Sequence, residues 1–478
     1  MAAQAPGQAA QRGGYRAAVT LLLMLAYAFN AADRSLIPVI AQPLKADLLL
    51  SDTELGLLAG TAFAVLYALC GIPIARLAER ANRVTIISVA LGGWSALTAL
   101  CATAGSFLQL ALLRVGIGIG EAGCAAPAQS LLSDYYDRTR RTSALSVYSC
   151  GLSLGYLFVS AVGSYVAQHH GWRAACVVIG LPGVAVAALI RHVVREPRRG
   201  TADGAAAAAA PAPPSLRGEL AELGAVARGL FLSWPSAQII FALTLSSFAS
   251  YGTWAFIPAY FNRAFGLHLA TIGVFLGLAG SVPVALGTLG GGFVADFAGA
   301  RSPRWYALVP AAGLALAAPL YVLAFLQHDW AAAMLLLAAG GFFQYISLGP
   351  SFGVVQNVVG VRQRATATAL LYLCLTLLAL AAGPPFIGWL IDTLAGAHLA
   401  QPAGSLLNDL MAASPAGTAQ FRAACPGQAM NHGMCAAALA AASRDGLLLG
   451  VTLHLWAAAH YVLGSLGLAQ QMRRAAAG

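Results

Sequence analysis

Residues 107–123 read FLQLALLRVGIGIGEAG. The glycines at 116, 118, 120 and 123 superficially resemble a dinucleotide-binding fingerprint. That fingerprint must follow a strand and open a helix. Here the glycines lie inside an apolar run that continues to residue 131, so the nucleotide reading fails on its context. Gly116 and Gly120 make instead a small-xxx-small ridge that lets two helices approach closely. Arg114 and Glu121 stand seven positions apart, two helical turns, and so project from one face. A charge deep in an apolar span costs several kcal/mol on most scales unless it is paired or hydrated. The stretch is a membrane helix that carries two such charges.

The rest of the chain has the same character. Of 478 residues, 59% are hydrophobic and 9% charged, where a soluble domain carries about 25% charged residues. A bilayer core needs about 20 apolar residues per helix. Breaks in the apolar pattern define twelve such cores, near 17–40, 55–75, 84–104, 107–131, 143–167, 173–192, 237–261, 271–295, 305–326, 330–355, 366–391 and 446–468. No β-barrel alternation is present. The fold class expected is an all-α integral membrane protein with twelve transmembrane helices in two pseudo-symmetric six-helix bundles. The first apolar run extends past any plausible cleavage point, and reads as a retained span.

The formal charge of +10 follows topology and implies no nucleic-acid partner. With the N-terminus in the cytoplasm, Arg76, Arg80, Arg83, Arg138, Arg140 and Arg141 fall on one side, joined by the arginines from 191 to 228, at 301 and 304, at 362 and 364, and at 473 and 474. The opposite face keeps Lys45, Arg173, Arg263, Arg422 and Arg444. This positive-inside bias predicts both termini cytoplasmic. Residues 1–195 form the expected N-terminal bundle and 237–478 the C-terminal one, joined by a cytoplasmic linker over 196–236. The linker's Ala run 205–210 with Pro211, Pro213 and Pro214 is low-complexity, and Leu216 to Leu230 suits a short interfacial helix. The connection over 395–443 is read as a long, variable external loop. Its Cys425 and Cys435 could close a disulfide in an oxidising compartment. No metal site is expected there, since His432 alone lies near them.

Asp33 and Arg34 in the first span join Arg114 and Glu121 in the fourth, so two helices each present a carboxylate and a guanidinium. Asn30 and Arg34, four apart, share a face with Tyr27. The bland alternative is a neutral ion-pair network that locks two helices together. The functional reading is proton coupling. Arg stays charged at any physiological pH, so Asp33 and Glu121 are the groups that can titrate as access alternates. The second half places no charge near a span centre. It offers aromatic and mildly polar groups instead, among them Tyr251, Trp254, Phe343, Tyr372 and His454, and this uncharged wall would suit an amphiphile with a polar head and an apolar tail. His454 and His460 are candidate proton carriers, and each is read first as a hydrogen-bonded structural residue. The halves also echo one another: Ala75 leads to Glu79, Arg80 and Arg83, and Gly292 leads to Asp296, Arg301 and Arg304.

These motifs resemble the major facilitator superfamily over nearly the whole chain. Over about residues 27–200 they resemble its spinster branch. The carrying residues are Asn30-Ala-Ala-Asp33-Arg34, Glu79-Arg80-Ala-Asn82-Arg83, Arg114-Val-Gly-Ile-Gly-Ile-Gly-Glu121, Gly171-Trp172-Arg173 and Arg195-Glu196-Pro197. The resemblance implies lipid-related substrates, sphingosine phosphate and lysophospholipids in animal members. It implies a central cluster of Asp33, Arg34, Arg114 and Glu121, and a cytoplasmic gating motif containing Glu79, Arg80 and Arg83, repeated around Asp296. Ala75 and Ala78 stand where the family commonly has Gly, and Glu79 replaces Asp.

The expectation is a proton-coupled secondary transporter, working by alternating access on an amphiphilic, anionic, lipid-like molecule. The alternative is a carrier of a small organic anion or drug. Substrate contacts are assigned to Tyr27, Asn30, Arg34, Arg114, Tyr251, Trp254, Phe343 and Tyr372. No nucleophile, base or metal constellation of an enzyme is present, and no cofactor is implied. The partners expected are the substrate, protons and membrane lipids, for a monomer in a bacterial inner membrane.

Overall fold

A computed structural model describes residues 13–136, 138–197, 216–360, 363–400, 406–425 and 433–477. Among these, every regular element is helical. Eleven helical stretches are long and apolar enough to cross a bilayer, and one of them, Ala144–Val193, runs for 50 residues. It is broken at Gly171, whose φ of 83° and ψ of 163° no helix accommodates. A positive φ costs glycine nothing, so the two apolar cores read on either side of Gly171 are separate spans. The described chain thus holds twelve spans, as its hydropathy predicts. Val89, Leu335 and Phe293 are 70%, 72% and 75% exposed on their outer faces. A soluble fold rarely leaves such surface uncovered; here acyl chains cover it.

The chain packs as two compact units. The first takes the described parts of Met1–Leu44, Ala62–Ala212 and Leu269–Gly277, and the second those of Lys45–Thr61, Pro213–His268 and Leu278–Gly478. In the first unit, helix Gly13–Val39 lies along Arg138–Phe158, and Arg83–Leu100 along Ser164–Val193. Small residues set these distances. A side chain at Gly155 would meet the Ala28 carbonyl and come within 2.9 Å of Ala31 Cβ. Gly116 and Gly120 serve the same purpose, facing Leu97 at 2.9 Å and Trp94 at 3.0 Å. The glycine ridge in the fourth span is a packing surface.

In the second unit, Trp234–Phe265 and Trp305–Phe325 both pack against Gly433–Ser465. The short helix expected in the linker runs Leu216–Phe231, and its Val226 and Leu230 are buried in the core of this unit. The Ala/Pro run of the linker and His432 lie outside the described residues. The connection after the eleventh span departs from the irregular loop expected of its composition. It continues helix Gly383–Ala400 and adds helices Leu406–Ala412 and Pro415–Ala424, with Phe421 buried as an anchor. Cys425 and Cys435 are joined as a disulfide with Cα atoms 5.8 Å apart.

Candidate functional site

The four charges of the first and fourth spans meet within the first unit as two crossed pairs. Arg114 Nη1 donates to Asp33 Oδ2 at 2.9 Å, and Arg34 Nε donates to Glu121 Oε2 at 2.7 Å. Each carboxylate therefore finds its cation on the other helix. Asn30 Nδ2 adds a second donor to Glu121 Oε2 at 2.9 Å, and the Thr98 hydroxyl donates to Asp33 Oδ1. The Arg34 guanidinium lies over the Tyr67 ring at 4.4 Å and the Phe63 ring at 5.0 Å; Arg114 lies over Phe63 at 5.2 Å. Such stacking stabilises a cation where water is scarce.

Exposure separates the members. Glu121 is fully buried, Arg114 1% exposed, and Asn30 and Asp33 2% each. The Arg34 side chain is 31% exposed. Arg34 is thus the most exposed of the four charges, while Arg114 is buried against Asp33 through Nη1. Glu121 Oε1 is buried without a hydrogen-bond partner among the described residues. The carboxylate has its donors on one oxygen and a vacant acceptor on the other. Tyr27, four positions before Ala31 on the same helix, stacks on Tyr148 at 4.7 Å.

A second charged node ties helix ends in the same unit. Arg83, 1% exposed, donates from Nε to Glu196 Oε1 at 2.6 Å and from Nη1 to Asp134 Oδ2 at 2.6 Å and Ser130 Oγ at 2.9 Å. The other oxygen of Glu196 accepts the Val84 N–H at 3.2 Å. Arg80 is exposed, and the side chain of Glu79 lies outside what the structure describes. Asp296, in the second unit, accepts the Tyr306 hydroxyl at 3.0 Å.

The second unit holds an uncharged polar network that sequence reasoning missed except for His454. Tyr321 donates to Gln344 Oε1 at 2.5 Å, Gln344 Nε2 donates to Ser250, and His454 Nε2 stands 3.5 Å from the Ser250 hydroxyl. His454 Nδ1 faces the Val451 carbonyl at 3.0 Å. That carbonyl can only accept, which fixes Nδ1 as the protonated nitrogen. His460 Nδ1 bonds Gln238 Oε1 at 2.5 Å. Of the proposed aromatic contacts, Tyr251 and Tyr372 are exposed, Tyr372 leaning on Phe352 at 5.1 Å, and Trp254 and Phe343 are half-buried.

Buried charge also occurs in the second unit. Asp52 is fully buried and accepts from Lys45 Nζ at 2.5 Å and Arg263 Nη2 at 2.6 Å. Asp392 receives the N–H groups of Asp52 and Thr53 at 3.0 and 2.9 Å, capping helix Asp52–Ala59. Burial, the largest influence on Lys45, holds its ammonium below the ordinary lysine value, and Asp52 opposes that shift.

Among the described residues, twelve apolar spans, with crossed charge pairs inside one unit and a neutral polar network in the other, define a multi-pass membrane carrier. Residues 23–384 match the Major Facilitator Superfamily, and the chain belongs to that superfamily. It is 34% identical to an MFS-type efflux pump of Mycolicibacterium smegmatis, over 82% of this chain and 88% of that protein. Its fold is similar to the crystal structure of a bacterial homolog to the human lysosomal transporter Spinster in an inward-facing, unoccupied conformation. That match has a TM-score of 0.79 and 30% identity, covering 96% of this chain and 99% of the other. The chain is also 27% identical to the sphingosine-1-phosphate transporter SPNS2 of Danio rerio, over 51% of this chain and 47% of that protein. The protein is a spinster-like transporter of a small-molecule substrate, and not an enzyme.

Proposed function

We propose that the protein is a proton-coupled secondary carrier of an amphiphilic, anionic, lipid-like molecule. The observation that carries this reading is the environment of Glu121. Its carboxylate is sealed from solvent, held on one oxygen by Asn30 and Arg34, and left without a donor on the other. If Arg34 turns to a substrate anion, Glu121 loses its counter-charge while still buried. A buried carboxylate without a cation takes up a proton. Substrate binding and protonation are then linked through one guanidinium. Asp33 keeps Arg114 and Thr98 throughout that exchange, and supplies the second titratable group of the set. The aromatic and neutral polar surface of the second unit, including Tyr251, Trp254, Phe343 and Tyr372, takes the apolar part of the substrate.

The node at Arg83, with Glu79 and Arg80 beside it and Asp296 in the repeat, acts as the gate at the cytoplasmic ends. Alternating access is carried by two six-helix halves, 1–195 and 237–478, joined by the linker 196–236. The protein works as a monomer in the bacterial inner membrane with both termini cytoplasmic. The likeness to a sphingosine-1-phosphate transporter supports a lipid substrate, whereas the likeness to an efflux pump favours a second reading, a carrier of small organic anions or drugs. Proteoliposome uptake of a labelled lysophospholipid, with and without a pH gradient, separates the two. Saturable, gradient-dependent uptake that disappears in Glu121→Gln supports the lipid reading. Flux of water-soluble anions alone would exclude it.

A further inference from the structure

Three acid–base side chains outside the carrier site converge where the 395–443 connection joins the second unit. His398 lies near the end of helix Gly383–Ala400, Asp409 in helix Leu406–Ala412 and Asp445 in helix Gly433–Ser465. One ligand atom from each falls within 4.8 Å of the others. His398 Nε2 stands 3.0 Å from Asp445 Oδ2 and 3.7 Å from Asp409 Oδ2. All three are buried, at 5%, 1% and 2% exposure.

The donors present do not satisfy this cluster. Arg444 Nε bonds Asp445 Oδ1 at 2.7 Å, and one imidazole N–H can serve one carboxylate oxygen. Both oxygens of Asp409 are buried without a hydrogen-bond partner among the described residues. A buried carboxylate without a hydrogen-bond partner is costly, and this one lies within 4.8 Å of a histidine nitrogen and a second carboxylate. A metal-ligating imidazole is neutral, so with two carboxylates and Arg444 the cluster would present one net negative charge to a divalent cation.

We propose that His398, Asp409 and Asp445 form a divalent transition-metal site of the zinc class. An imidazole nitrogen with two carboxylate oxygens suits such ions better than Ca²⁺ or Mg²⁺, which prefer oxygen-only shells. Ligand atoms at about 2.05 Å from a tetrahedral zinc are separated by about 3.3 Å, and the 3.0 and 3.7 Å separations around His398 bracket that value. The ligands bracket the Cys425–Cys435 disulfide in the chain, and a metal would clip the short helix Leu406–Ala412 to two spans. Beside the cysteines the sequence offers His432 alone. The site draws on residues up to 47 positions apart, which no local spacing reveals.

The test uses the full chain, freed of any affinity tag, stripped with chelator and titrated with Zn²⁺ by calorimetry. One saturable equivalent in the micromolar range or tighter is expected, unaffected by excess Mg²⁺ or Ca²⁺. Asp409→Asn and His398→Gln should each weaken it at least tenfold, while weak surface binding, as at His169 and His170, persists. Zn²⁺ should also raise the melting temperature of the unaltered protein, because a ligand that binds only the folded state stabilises it. That measurement stands even where a variant fails to fold. Absence of both the saturable equivalent and the melting shift would overturn the site. So would unchanged affinity in Asp409→Asn, or an Asp409→Asn variant more stable than the parent with no zinc dependence.

Discussion

The crossed pairing of the central charges makes a quantitative prediction for Asp33 and Arg114. Their side chains are 3% and 2% exposed, so solvent screens the pair little. Removing one partner of a buried ion pair leaves the other charge uncompensated and costs about 3–5 kcal/mol. Asp33→Asn keeps an oxygen for Arg114, which places it near the lower figure, about 3 kcal/mol. Arg114→Gln leaves Asp33 with the Thr98 hydroxyl and sits higher in that range. The double variant removes both charges and should lie within about 1 kcal/mol of the parent, since a neutral replacement of a buried pair is often close to neutral. Unfolding entropy of about 2 cal/mol/K per residue gives roughly 1 kcal/mol/K over 478 residues. Each single variant should then lose about 3 °C or more in melting temperature, and the double about 1 °C. The assay is tryptophan-fluorescence melting of the four proteins in one detergent. A double variant whose loss equals the sum of the singles would refute the pairing, because residues in contact must couple.

Other substitutions test the remaining parts. Arg34→Ala should raise the KM for an anionic substrate about ten- to a hundredfold, since a bond to a charged group is worth about 1.5–3 kcal/mol; a KM unchanged from the parent would assign the anion elsewhere. Arg83→Ala removes the guanidinium that joins Asp134 and Glu196, which are 13% and 21% exposed, and should speed amide exchange at Val84, whose N–H Glu196 accepts. Mass-detected hydrogen exchange over 83–100 reads this, and unchanged protection would argue against a lock. At the second-unit node, Lys45→Met leaves Asp52 with Arg263 and should cost about 1 kcal/mol, against about 3–5 for Asp52→Asn, which removes the carboxylate that two buried cations share. The lowered pKa of Lys45 means that the unfolded chain binds this proton more tightly. Its contribution therefore makes stability rise with pH between the lowered and the ordinary lysine values. Melting curves across that range should flatten in Lys45→Met.

Hydropathy made the fold class and the number of spans legible, because each span must bury its backbone polar groups within one apolar helix. The break at Gly171 falls where the hydropathy pattern separates two apolar cores. The charges of the first and fourth spans were visible for the same reason, being costly in lipid. Their pairing was not. Spacing puts Arg114 and Glu121 on one face, but which helix that face meets depends on rotation and contact, here set by glycines against Leu97 and Trp94. Thr98, Phe63 and Tyr67 complete the cluster without charge, so no signal marked them. Asp134 and Glu196 stand 51 and 113 positions from Arg83, beyond any local pattern. Asp52, Asp392 and Asp445 lie near the ends of apolar runs, where a charge reads as a solvated flank, and the structure buries them. His454 alone of the Ser250–Tyr321–Gln344 network carried a recognisable group, because neutral amides and hydroxyls are cheap in any helix.

Substrate-driven proton movement is the direct measure of coupling at Glu121. Proteoliposomes loaded with a pH-sensitive dye and challenged with a lysophospholipid should show a proton flux that saturates with the substrate. In Glu121→Gln that flux should be lost while substrate still binds, because the neutral amide can accept from Arg34 but cannot release a proton. Proton flux of parental size in Glu121→Gln, or saturable transport with no proton movement in the parent, would contradict the coupling.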